Sequence, residues 1–206
     1  MEMASPETTF HRQAIKICRE ITADRTFPYR PKRYLRLACR ATVEHCAPVL
    51  PAVDETFLAS APTRFVEAFE IALPASAVWA ELTRDRTLGW CRGLEIRWLS
   101  ARPFGVGTKR QAKLFGVLLR VREEYFIWEE GRRMAFFVTA VRPPAYRRSA
   151  EDYVVEALGA DRCRFTWTLA FDLTWLGKLN GPLSSLIVRR MFADTRRHFE
   201  QLAAQR

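Results

Sequence analysis

Long uncharged stretches are missing from this 206-residue chain. No run of roughly 18 residues, the length that begins to suit a bilayer span, is free of Asp, Glu, Lys and Arg, and the longest apolar run, "MAFFVTAV" (134–141), is the length of a buried strand. A membrane-crossing helix is therefore not expected. Cysteine pairing is missing too. Cys18, Cys39, Cys46, Cys91 and Cys163 form an odd set without a CxxC pair, which fits free thiols in a reducing compartment better than a disulfide framework. Cys39, His45 and Cys46 are neighbours in sequence, but the usual two-residue spacing and a fourth ligand are absent, so neither a metal nor a cofactor is expected. The start, "MEMASPETTFHRQ", has acids where a signal peptide carries bases, which favours a cytoplasmic protein.

Several catalytic arrangements are missing as well. There is no G-x-S-x-G elbow, and Ser184 and Ser185 lie more than two helical turns from Asp194 and His198, whose four-residue spacing then marks a local helix contact rather than part of a triad. The acidic neighbours 123/124, 129/130 and 151/152 sit on strands or turns, where adjacent side chains diverge. "GVGTK" (105–109) lies between strands with no helix to hold a phosphate, so its glycines are turn residues.

Positive charge, by contrast, is abundant. The chain carries +10 at neutral pH, and residues 1–60 hold 9 Lys and Arg against 7 Asp and Glu, leaving 24 against 16 in residues 61–206. The excess belongs to the larger part of the chain, where it makes an anionic partner plausible.

Two regions differ in period. In residues 1–60, Ser5-Pro6 opens a helix over about 6–22, a second apolar stripe (Tyr34, Leu35, Ala38, Ala41) follows, and the Pro-rich "APVLPAVDE" reads as a linker. From Thr63 the pattern changes to one strand, one or two short helices after Pro74, and six strands at 94–100, 107–115, 117–128, 133–141, 151–158 and 162–173. Short Gly- or Asp-bearing connectors imply antiparallel neighbours. The amphipathic segment at about 180–204 is the one element long enough to cover the apolar face of such a sheet.

This order over residues 63–204 resembles the helix-grip proteins: the START lipid-transfer domains, the birch-pollen-allergen-like proteins and the bacterial polyketide cyclase/dehydrase-like branch called SRPBCC. The resemblance rests on "FEIALPASAVWAELTRDRTLGW", "GVGTKRQAKL", "YFIWEEGRRMAF" and "RCRFTWTLAFDL". It implies an α+β fold, a seven-stranded antiparallel sheet curled around a long C-terminal helix, with a ligand-binding domain at 61–206; the helical extension and linker at 1–60 fall outside the resemblance. It also implies a hydrophobic-ligand cavity between sheet and helix. Members range from binding proteins to cyclases, so the fold leaves the activity open.

Parity along the strands supplies candidate ligand residues. In the last strand Phe165 and Trp167 share the aromatic face, and the Trp167 indole N–H needs a partner when buried. Tyr153 and Val155 point inward if Glu156 points to water. Tyr125 and Trp128 differ in parity, and only a bulge would bring both inside. On the long helix Ile187 and Met191 lie on the inward stripe, and either Arg110 or Lys113 would anchor a ligand anion.

The sequence thus points first to binding or transport of a hydrophobic small molecule, lipid- or polyketide-like. A cyclase or dehydratase using Tyr153 in the same cavity is the enzymatic alternative. A basic surface docking on an anionic membrane is the third, with nucleic acid less favoured than lipid.

Overall fold

The computed structural model describes residues 49–116, 118–179 and 181–205, all within the unit Ala47–Arg206. The two expected N-terminal helices and the Cys39, His45 and Cys46 set lie outside the described residues. The first described helix, α1 (Glu55–Ser60), is only six residues long and starts at Asp54, whose carboxylate accepts the Phe57 N–H at 3.3 Å as an N-cap. A helix this short does not persist on its own. Phe57, Leu58 and Ala61 hold it by packing on Ala135, Phe137, Ala150 and Ala170 across the outer face of the sheet. Leu50 is tied in as well, its N–H donating to the Thr139 carbonyl at 2.8 Å. Part of the segment expected to be linker therefore lies on the sheet.

Seven strands follow, with one helix, α2 (Ala75–Thr83), after the first: β1 (Thr63–Ile71), β2 (Leu94–Trp98), β3 (Lys109–Leu114), β4 (Leu119–Glu129), β5 (Arg133–Arg142), β6 (Tyr146–Gly159) and β7 (Arg162–Leu173). All pairings are antiparallel and the spatial order is β1-β7-β6-β5-β4-β3-β2. The first strand thus joins the last, with Phe69 opposite Phe165, while α2 and residues 84–93 carry the chain to the far edge. The sheet twists and curls, as the sequence implied. β6 begins at Tyr146, five residues before its expected start, because its polar first half still pairs with β7, Ser149 opposite Phe171.

After a short helix, α3 (Trp175–Leu179), the chain closes with α4 (Gly181–Ala204), 24 residues and about 36 Å long at ~1.5 Å per residue. Its inward stripe is Val188, Phe192, Thr195 and Phe199. Phe192 meets Phe69 and Trp167 edge-on at 6.1 and 5.4 Å, and Phe199 meets Phe165 at 6.3 Å. Each buried ring contributes about 1.5–3 kcal/mol.

Polar contacts hold the second half of α4. Trp90 stacks on His198 at 4.1 Å and donates its indole N–H to Thr195 at 3.0 Å. Asp194 accepts the Arg92 N–H at 3.1 Å, and His198 Nε2 lies 3.0 Å from Glu81. The expected contact within the helix is thereby corrected: Asp194 and His198 each reach across to the segment joining α2 and β2. They are clamps, and they leave the first half of α4 to face open space. Among the described residues no helix is long and apolar enough to cross a membrane.

Candidate functional site

Between the first half of α4 and the curled sheet lies a cavity of about 460 Å³. This is within the usual range for small-molecule pockets. Most of its wall is apolar, from side chains such as Ile96, Val121, Leu169, Ile187 and Met191. Leu118 and Leu183 stand at its mouth, half exposed.

The far wall is polar. Arg110 on β3, Glu123 on β4, Glu151 and Tyr153 on β6 and Trp167 on β7 all line it. Strand alternation brings them together: Arg110 and Glu123 are direct partners in the β3–β4 register, and Tyr153 is opposite Trp167. Arg110 is 1% exposed and Glu123 4%, and the Arg110 Nε–H donates to Glu123 Oε2 at 2.5 Å. The guanidinium also rests on the Phe136 ring, 3.9 Å from its centroid, with Tyr125 at 5.4 Å. Burial is the largest single influence and works against the guanidinium charge, but Glu123 together with Tyr125, Tyr153 and Glu151 outweighs it and holds Arg110 protonated. Its Nη1 nevertheless has no hydrogen-bond partner, and neither has the Tyr125 hydroxyl. Orphaned buried donors are costly and mark a place where a bound acceptor would be favoured.

Glu151 is the second centre. Its Oε2 accepts from the Trp167 indole at 2.9 Å and from the Tyr153 hydroxyl at 3.1 Å. Burial, reinforced by Glu123, pushes its carboxyl up to about 7, against the opposing pull of Arg110, Trp167 and Tyr153. Burial and the Glu151 charge raise the Tyr153 phenol well above its ordinary range, which makes it a poor proton donor and a good fixed hydrogen-bond donor.

The sequence-derived candidates divide between two ends. Trp167, Tyr153, Arg110, Ile187 and Met191 line the cavity, whereas Phe165, Val155, Tyr125 and Trp128 lie outside its lining. Phe165 is fully packed between Phe69, Tyr153 and Phe199, and Val155 is core. Tyr125 and Trp128 do reach the same side, because a register shift between Tyr125 and Ile127 supplies the bulge. There they help close the opposite end of the grip: Trp128 meets Trp79 edge-on at 5.7 Å, and both indoles donate to Glu130, at 2.8 and 2.7 Å. Lys113 faces outward to Glu95, so Arg110 is the inward cation of the two. Glu123 and Glu151 were missed. They share the strand faces of Tyr125 and Tyr153, a signal already present in the two-residue spacing. Adjacent acids do diverge as expected, since Asp152 turns away to a paired contact with Arg133 at 3.0 and 3.1 Å. Among the described residues no cluster of His, Cys, Asp and Glu has metal-binding geometry.

A sequence model described as polyketide cyclase/dehydrase and lipid transport matches residues 62–205. The chain belongs to this family. An uncharacterized protein of Mycobacterium tuberculosis is similar at 30% identity over 154 residues, 71% of this chain and 90% of that one. Among solved structures, a START superfamily protein from Mycobacterium smegmatis has TM-score 0.56 and 12% identity, covering 68% of this chain and 98% of its own. An aromatase/cyclase from Streptomyces sp. R1128 has TM-score 0.56 and 14% identity over 70% of this chain and 94% of its own. Norcoclaurine synthase from Thalictrum flavum follows at 0.51 and 13%, over 77% and 96%. At these identities the structures establish the shared helix-grip fold. Membership of the polyketide cyclase/dehydrase and lipid transport family supports binding of a hydrophobic ligand in general terms.

Proposed function

We propose that the protein binds an amphipathic small molecule whose apolar body fills the grip cavity and whose oxygen-bearing head, a carbonyl or carboxyl group, meets Arg110 at the inner wall. The observation that carries this reading is the unpartnered Nη1 of a 99% buried arginine in the polar inner wall of a cavity that is apolar over most of its remaining lining. A purely apolar guest would leave that donor unsatisfied, whereas an acceptor would complete a charge-assisted hydrogen bond.

Displacement of a bound fluorescent dye tests the reading. A medium-chain carboxylic acid is expected to displace the dye at least about tenfold more effectively than the alkane of equal length, the scale of a hydrogen bond to a charged group. In a variant with both Arg110→Met and Glu123→Leu, that preference is expected to vanish while dye binding persists. Equal displacement by acid and alkane in the wild type would refute the proposed head contact.

Cyclisation or dehydration of a reactive polyketide in the same space is a second reading, favoured by one observation. Glu151 faces the cavity with its carboxyl raised to about 7, a suitable value for moving a proton to or from a bound carbonyl compound at neutral pH. In that reading Tyr153 orients and Glu151 transfers the proton, so turnover should survive Tyr153→Phe in part and be lost in Glu151→Gln.

A further inference from the structure

The mouth of the cavity shows an unusual concentration of exposed large apolar side chains. Trp175 is 71% exposed, Leu179 69% and Leu186 63%, and Leu183 is about half exposed. They follow one another through α3 and the first turns of α4. From the other side of the opening, the β3–β4 hairpin contributes Phe115 and Leu118, also about half exposed. Leu118 and Leu183 both line the cavity, so the two groups flank a single entrance. Scattered exposed leucines need no explanation, but a rim of them around an apolar cavity does.

The charges nearby have one sign. Residues 173–193 contain Lys178, Arg189 and Arg190 and no Asp or Glu, and residues 96–122 contain no acid either. Arg189 and Arg190 are exposed and lie about one turn beyond Leu186. The four acids that bound these stretches are engaged: Glu95 pairs with Lys113 at 3.5 Å, Glu123 with Arg110, Asp172 with Arg148 at 3.3 Å and Asp194 with Arg197 at 3.2 Å. Apolar side chains next to an acid-free basic border, with an exposed tryptophan among them, suit the layered chemistry of an anionic bilayer surface. A second copy is a poorer occupant, because it would bring two basic rims of like charge together.

We infer that the cavity mouth docks on an anionic lipid bilayer, with Trp175, Leu179 and Leu186 entering the boundary between headgroups and acyl chains and Lys178, Arg189 and Arg190 meeting lipid phosphates. The entrance then opens toward the membrane, and a hydrophobic guest can pass between bilayer and cavity without crossing water. This surface stands apart from the ligand proposal, since a protein with an empty cavity would still dock.

The test is co-sedimentation of the full chain with vesicles of phosphatidylcholine containing about 30% phosphatidylglycerol, compared with phosphatidylcholine alone. The wild type is expected to partition to the anionic vesicles at least about tenfold better and to be released several-fold by raising salt from about 0.05 to about 0.5 M. The double variant with Leu179→Glu and Leu186→Glu is expected to lose at least about tenfold in partitioning, with melting temperature and dye binding unchanged, as neither residue lines the cavity. Should that variant prove unstable, Arg189→Glu with Arg190→Glu tests the same surface through its charges and is expected to abolish the preference for anionic vesicles. No association with anionic vesicles, equal binding to both compositions, or undiminished binding by stable variants would overturn the inference. So would a wild-type dimer that the Leu179 and Leu186 substitutions split, because the patch would then belong to a second copy.

Discussion

Replacing Glu151 by Gln is expected to stabilise the protein at alkaline pH and to leave it nearly unchanged in acid. Burial first, and then Glu123, raise the Glu151 carboxyl from 4.5 to about 7. Between those values the folded protein keeps a proton that the unfolded chain has released. The neutral acid therefore contributes its full share of stability below about 4.5, loses it progressively as pH rises, and contributes none once pH exceeds about 7. The whole change is at most on the order of 3 kcal/mol. Gln cannot ionise, yet its amide oxygen can accept the same bonds from Trp167 and Tyr153 that Glu151 Oε2 accepts. Thermal unfolding should therefore show the variant melting up to roughly 10 °C above the wild type near pH 8.5, with the two curves meeting near pH 4.5. A gap that is the same at both pH values would mean that folding does not shift the Glu151 carboxyl and would contradict its raised proton affinity.

Glu123→Ala should be the most damaging single change at the site, costing about 3–5 kcal/mol in urea-induced unfolding. The cost arises from what remains. Arg110, at 1% exposure, would be left charged among Phe136, Tyr125 and Tyr153 without the carboxylate that its Nε–H meets at 2.5 Å. Glu151 is the other carboxyl that acts on Arg110, so it should be drawn into the ionised form. The fall in stability with rising pH attributed above to Glu151 should then be weaker in the variant, because Glu123 is one of the two causes that raise the Glu151 carboxyl. Removing both charges by Arg110→Met with Glu123→Leu should instead come within about 1 kcal/mol of the wild type, since a buried pair and a well-packed apolar pair are nearly equivalent in stability. Equal losses in the single and double variants would show that the pair is not the source of the effect.

Much of the scaffold is legible in the chain. In β7 the alternation of Phe165, Trp167 and Leu169 with Thr166, Thr168 and Ala170 identifies the inner face without any knowledge of its neighbours. The inward stripe of α4 is equally clear from Val188, Phe192 and Phe199. α1 is a different case. Its support is a bed of small side chains, Ala135, Ala150 and Ala170, drawn from three strands that become neighbours only through sheet order and register. The inner polar wall is intermediate. Parity from Tyr153 places Glu151 inward, and Ala112 and Leu114 on the face of Arg110 distinguish it from Lys113, so the individual directions were available in the sequence. What sequence spacing cannot provide is the meeting of Arg110, Glu123 and Glu151, which depends on the β3–β4 pairing and on the curl that brings β6 toward them.

Native mass spectrometry of the full chain, purified without detergent, tests the amphipathic-ligand account most directly. A bound mass of roughly a few hundred daltons is expected, in keeping with a drug-sized cavity, and it should disappear under denaturing conditions. The same spectrum of the Arg110→Met and Glu123→Leu double variant should show that mass depleted. A bare chain in both conditions that also takes up no added carboxylic acid would contradict the account.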